Sequence, residues 1–139
     1  MSFSIRSLAP AFFGLAGLAA GFAFAEMSGP TEHKGLAVEA LGKLEEGMIA
    51  RQTGLDGYMM QLRAITIEPG GQIAQHSHEN RPGLVKVISG EWVEGKPDGE
   101  TSYAEGDMGI LEDGDTMHWF YNRGDVPATA IVCDLNPTG

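Results

Sequence analysis

Past residue 36 the apolar residues never recur at the three- and four-residue spacing that a helix of useful length needs. They form short runs rich in β-branched and aromatic residues at 58–67, 72–78, 84–88, 91–94, 101–103, 108–111, 117–121 and 128–135, each predicted as a strand. Turn chemistry falls between them: Glu68-Pro69-Gly70-Gly71, Gly95-Lys96-Pro97-Asp98-Gly99, Glu112-Asp113-Gly114-Asp115 and Asn122-Arg123-Gly124-Asp125. Many short strands at near-regular spacing predict a single all-β domain, a sandwich or barrel, over residues 36–139. The run 36–44 fits a strand or a helical turn equally. Residues 26–35 are polar, contain Gly29-Pro30, and read as a flexible leader in which His33 is solvated.

Residues 1–25 follow a different pattern. Arg6 is their one charged residue, residues 8–23 are almost wholly Ala, Gly, Leu and Phe, and the run closes on Ala23-Phe24-Ala25 before polarity rises at Glu26. That is the form of a secretory signal peptide, which makes the expected location periplasmic. A permanent anchor would need about 20 apolar residues with flanking charges, and this run is shorter and ends on a cleavage pattern.

Net charge is −10, and loss of Arg6 with the leader peptide makes the remainder more acidic still. Such a field repels phosphate backbones and anionic lipid heads, so neither nucleic acid nor, after cleavage, membrane is an expected partner. Cys133 is the sole cysteine, so no intrachain disulfide can form, and its apolar neighbours suggest buried packing. Gly-rich phosphate loops, Gly-x-Ser-x-Gly elbows and paired-cysteine zinc motifs are missing from the sequence, which removes support for nucleotide-dependent and serine-hydrolase chemistry.

His76 and His78 lie two residues apart at the end of a predicted strand, where alternation points both side chains the same way and lets them share one ion. Alone, the pair is a weak signal. The surrounding frame is more specific: five residues separate Gly70 from His76, four separate His78 from Gly83, and six separate Gly83 from Gly90. Downstream, Gly106 is followed after five residues by Glu112-Asp113-Gly114, and His118 after three by Asn122. This dual arrangement resembles the two signature motifs of the cupin superfamily.

The resemblance implies a jelly-roll barrel with a divalent metal ion inside one end, held by His76, His78 and His118. Three departures stand out. Gly83 occupies the position of the family's glutamate, Glu112 that of a proline, and three residues instead of two separate Gly114 from His118. The last two read as turn variation. Glu79 should face outward, Glu112 belongs to a predicted turn, and Gln72, on the face of His76, has a neutral amide that ligates poorly. The expectation is therefore a three-histidine site completed by water or substrate.

Three-histidine relatives that activate dioxygen put iron first as the cofactor, although imidazole also suits Zn, Mn, Ni and Cu. The expected function is a metal-dependent, dioxygenase-type oxidoreductase acting on a small organic molecule, with no catalytic residue evident beyond the ligands. The alternatives are a non-catalytic periplasmic barrel that binds a metal or small ligand, and a barrel that has lost its metal. Arg81, Phe120 and Gln72 are the candidate substrate-pocket residues: Arg81 for an anion, Phe120 as an apolar wall beside His118, and Gln72 on the His76 face. The resemblance also admits a homodimer formed through the sheets.

Cleavage after Ala25 is expected, and N-terminal sequencing of the exported protein should begin at Glu26. A cytoplasmic product retaining Met1 would overturn it.

Overall fold

The computed structural model describes residues 26–139, and the expected signal peptide at 1–25 lies outside the described residues. The elements are β1 (Lys34–Leu44), α1 (Glu46–Thr53), β2 (Tyr58–Ser77), β3 (Gly83–Ser89), β4 (Glu91–Lys96), β5 (Gly99–Ala104), β6 (Ile110–Glu112), β7 (Met117–Tyr121) and β8 (Ala128–Pro137). The strands form one curled antiparallel sheet in the order β5-β4-β7-β2-β8-β3-β6, with β1 added on β2. The chain is thus an all-β jelly-roll barrel.

Period-two alternation decides what enters the barrel. Along β8, Ala128, Ala130 and Val132 turn inward and are followed at the same spacing by Asp134; along β6, Ile110 and Glu112 face in while Leu111 faces solvent. These residues enclose a core of Ile67, Ile73, Val85, Val87, Trp92 and Phe120. The Trp92 ring stands 5.0 Å from that of Phe120, and its indole N–H donates to the Ala128 carbonyl. The end of the barrel that carries Asp134 and Glu112 is where charge meets this apolar interior.

Residues 68–71, expected as a reversal, are instead a corner within one strand. A reversal would pair the two halves of β2 with each other. In fact Tyr58–Ile67 pairs with β8, whereas the half beyond the corner pairs with β7. Gly70 has φ +70°, and a Cβ on Gly71 would come within 2.8 Å of the Glu68 and Lys34 carbonyl oxygens, so both positions require glycine. Buried Asn122 secures the corner. Its amide donates to the Ile67 and Val126 carbonyls, its side-chain oxygen accepts the Gly124 N–H, and its backbone exchanges hydrogen bonds with Gly70 and Gly71.

A second irregularity in β2 aims the first histidine. Ile73 pairs with Phe120 and His76 with His118, so three steps on β2 match two on β7, a β-bulge at Ala74 and Gln75. The extra residue switches faces: Ile73 and His76 both turn into the barrel, and Gln72 is left on the outer side. The bulge frees two backbone N–H groups. Ala74 donates to His33 Nδ1 at 3.0 Å and Gln75 to the Pro30 carbonyl at 2.8 Å.

The 26–33 segment therefore hydrogen-bonds to β2, and His33 is exposed, as expected, while its Nδ1 accepts from Ala74 at the edge of the cavity. Met27 also donates to the Pro97 carbonyl, and Gly29 to Gln75 Oε1. Composition predicted polarity correctly there but could not show that the bulge supplies partners. Residues 36–44 belong to β1, which begins at Lys34. The eight-residue α1 escaped the hydrophobic pattern because it buries Ile49 alone, too little to generate a period. The strand expected at 108–111 begins and ends later, with Met108 88% exposed and Glu112 inside the strand.

Because Asn122→Ala strips hydrogen bonds from buried carbonyls, it should cost about 1–3 kcal/mol. Urea unfolding of the purified protein checks this; an unchanged midpoint would show that Asn122 does not secure the corner.

Candidate metal centre

Three imidazoles converge at the charged end of the barrel. His76 arrives from the bulged part of β2, His78 from the turn after it, and His118 from β7, where it is fully buried. Their ring centroids lie 4.6–4.9 Å apart. Each Nδ1 is held by an acceptor: the Ala74 carbonyl at 2.8 Å for His76, the Arg81 carbonyl at 2.9 Å for His78, and Glu94 Oε1 at 2.7 Å for His118. A carbonyl or carboxylate cannot donate, so each Nδ1 carries the proton and each Nε2 turns a bare lone pair inward.

The environment keeps the His76 and His78 rings neutral. Burial lowers His76 to about 4, against the opposing hydrogen bond to Ala74 and with help from the neighbouring His118 and His78. Burial likewise lowers His78 to about 4, opposed by the Arg81 carbonyl and assisted by the Arg81 charge. Burial works against ionisation of Glu94, but the His118 hydrogen bond and Lys96 outweigh it and lower its pKa. An ionised, buried Glu94 behind His118 is the type of outer partner that orients a metal-binding imidazole. Tyr103 donates to its other oxygen at 3.4 Å.

Glu112 joins the cluster. Its Oε1 lies 3.4 Å from His78 Nε2 and 3.6 Å from His118 Nε2, and the four donor atoms of His76, His78, Glu112 and His118 all fall within 4.8 Å of one another. The expectation that Glu112 belongs to a turn does not hold, because it is the last residue of β6 and directly opposite Gly83 on β3. A Cβ on Gly83 would come within 2.5 Å of Glu112 Oε2 and 3.2 Å of Asp134 Cβ. The Glu112 carboxylate thus fills the space that a side chain at position 83 would enter, and it replaces the carboxylate that Gly83 lacks.

This donor set fits a divalent ion. His118 Nε2 and His76 Nε2 stand 3.1 Å apart, lone pair facing lone pair, and buried Glu112 Oε2 has no hydrogen-bond partner. A cation among them relieves both conditions. Burial raises Glu112 to about 7, with Asp134 adding to the rise and Arg81 opposing it. A bound cation would favour its ionised form.

Beside the cluster lies a cavity of about 310 Å³, lined in part by His76, His78 and Glu112. Of the residues expected around it, Arg81 and Phe120 line the wall, with Phe120 edge-on to the His118 ring at 4.6 Å. Gln72 does not: the bulge turns it outward, and its amide donates to the Glu32 carbonyl. Glu79 is exposed, as its place after His78 suggested. Glu94, Asp134 and Arg63 were not singled out from the sequence. The signal for the two acids was present, since each continues an inward-facing apolar alternation, Trp92 to Glu94 and Val132 to Asp134.

Fold and site together define a β-barrel with a largely buried histidine–glutamate cluster able to hold a metal ion. The chain belongs to the Cupin domain family (Cupin_2), whose model matches residues 63–134. No curated protein matches it. Among solved structures, the Cupin_2 domain of an XRE family transcriptional regulator from Enterobacter cloacae is 19% identical over 75% of this chain and 99% of its own, with TM-score 0.57. A sugar phosphate isomerase from Silicibacter pomeroyi is 25% identical over 73% of this chain and 60% of its own, with TM-score 0.54. A predicted oxalate decarboxylase from Thermotoga maritima is 17% identical over 79% of this chain and 89% of its own, with TM-score 0.60. One fold thus serves proteins of different names, and activity has to be argued from the site.

The relocated carboxylate leads to a reciprocal test. Glu112→Ala should weaken divalent-ion binding by more than the roughly 10- to 100-fold typical of losing an outer partner. Gly83→Glu alone should destabilise the fold by collision with Glu112, while Gly83→Glu combined with Glu112→Ala should recover affinity. Calorimetric metal titration with melting curves reads all three; a double variant no better than Glu112→Ala would show that position 83 does not open onto the ion site.

Proposed function

We propose that the protein is a metal-dependent enzyme that converts a small organic molecule in this cavity, with dioxygen chemistry as the reaction type and iron as the ion. The observation that supports this reading most is that three of the four donors, His76, His78 and Glu112, also line the cavity. A molecule in the cavity therefore lies against the donor cluster. The volume is at the small end of the range for ligand cavities, about 300–1,000 Å³. A bound divalent ion would supply Lewis acidity and, if iron, a route for electrons to dioxygen.

The chain's own residues would do the rest. Three neutral imidazoles and one carboxylate leave a divalent ion with a single net positive charge, so an anionic substrate is attracted without being held by charge alone. Glu94 holds the His118 ring in orientation through Nδ1, and the Ala74 and Arg81 carbonyls do the same for His76 and His78. Ile73, Trp92 and Phe120 keep much of the cavity lining apolar, which limits water at the reacting centre. In this reading the protein acts in the periplasm after export.

A non-catalytic ligand-binding barrel is the competing reading, and the sugar isomerase and predicted decarboxylase among similar structures mark chemistries other than oxygen insertion. Metal analysis of protein purified without a histidine tag should find about one ion per chain, and His118→Ala should lose it while remaining folded. Oxygen uptake with a panel of small organic acids, thiols and diketones then tests the reaction type. Bound metal with no oxygen consumption on any of them would sink the dioxygenase assignment, and protein free of metal would sink the enzyme reading with it.

A further inference from the structure

The cavity lining is mostly apolar, with Val38, Ile65, Ile73, Trp92, Phe120 and Val132, and among these it presents two guanidinium groups, Arg63, paired across the sheet with Val132, and Arg81, beside His78. Both point toward Asp134, which is 1% exposed: Arg63 Nη2 donates to Oδ2 at 2.6 Å, and Arg81 Nη1 lies 3.6 Å from the same oxygen. Asp134 therefore lies within 3.6 Å of two partly exposed guanidinium groups and hydrogen-bonds to one of them. Arg63 Nε is buried with no hydrogen-bond partner, and Arg81 Nη1 is beyond hydrogen-bond distance of Asp134. Arg81 Nη2 reaches to 3.4 Å from His78 Nε2, at the edge of the donor cluster.

From this geometry we infer that the substrate is a small monocarboxylate with an apolar body, its carboxylate held by Arg81 with Arg63 beside it and its body against Phe120 and Trp92. The inference rests on the reading that this cavity is the substrate site. Arg63 Nε is a buried donor without a partner and Arg81 keeps a nitrogen free of Asp134, and leaving a buried donor unmade is costly unless a ligand completes it. A carboxylate does so with one charge and two coplanar acceptors that match the guanidinium fork. A phosphate monoester brings up to two negative charges next to Asp134 and Glu112, where the second adds repulsion, and a sugar's hydroxyls would find few partners on a mostly apolar lining. Arg81 also unites two roles, because its carbonyl orients His78 while its guanidinium faces the cavity.

Binding can be read without turnover. Mature protein, as purified and after chelation, is titrated by calorimetry with 4-methylpentanoate, 4-methylpentanamide and isopentyl phosphate, and the quenching of tryptophan fluorescence is followed in parallel, since Trp92 lines the cavity. The carboxylate should bind at least tenfold more tightly than the amide or the phosphate in both preparations. Arg81→Gln should remove that preference while retaining metal and melting near the wild-type temperature, and Arg81→Lys should restore part of it. Equal binding of the amide, preference for the phosphate, absence of binding by all three, or indifference to Arg81→Gln would each overturn the proposal. Should Arg81→Gln not fold, the amide and phosphate comparison on the wild type decides alone. Carboxylate binding by protein that takes up no metal would uphold the substrate class and overturn the enzyme reading.

Discussion

Three converging imidazoles, two of them buried and His76 half-buried, can turn their Nε2 lone pairs toward one point only if every Nδ1–H finds an acceptor behind it. That constraint organises this end of the barrel. The acceptors come from three unrelated local structures: the carbonyl of the bulged Ala74, the carbonyl of Arg81 in the turn after β2, and the inward carboxylate of Glu94 on β4. Without them, a neutral histidine could carry its proton on either nitrogen, and the cluster would lose its uniform inward set of acceptor lone pairs. Burial helps from the other side by holding His76 and His78 well below the ordinary imidazole range.

The bulge links the site to the first described residues. An extra residue in β2 turns His76 inward, and the N–H groups it exposes are taken by His33 and Pro30. A segment without regular secondary structure thus completes the hydrogen bonding of the strand that carries a metal donor. Buried backbone groups require partners wherever they fall in the fold, and a polar leader can provide them as well as a strand can.

The carboxylate illustrates how sheet pairing relaxes sequence rules. Gly83 and Glu112 are direct cross-strand neighbours on the inner face, so a carboxylate rooted on either strand enters the same volume. Glycine on one strand and glutamate on the other form a complementary pair. A motif read linearly records a missing carboxylate; the folded sheet brings one to the same volume from 29 positions downstream.

Alternation and turn residues were enough to predict an all-β chain and to locate most strands, and the two-residue spacing set His76 and His78 on one face; the cupin type and the grouping of His118 with them came from the resemblance to the two cupin motifs. The first features are local, repeating with the two-residue period of a strand or marking its ends. What only the tertiary structure decided was non-local. Glu112 was misread as a turn residue because the strand containing it is three residues long and its partner is Gly83, distant in sequence. Gln72 was assigned to the wrong face because one inserted residue at Ala74 and Gln75 inverts the alternation after Ile73, and a bulge is visible only against the strand it fails to match. Glu94 and Asp134 followed the inward pattern, but the imidazole that one supports and the arginines that the other holds come from different strands. Periodicity determines which face a residue takes; strand pairing and curl determine what that face meets.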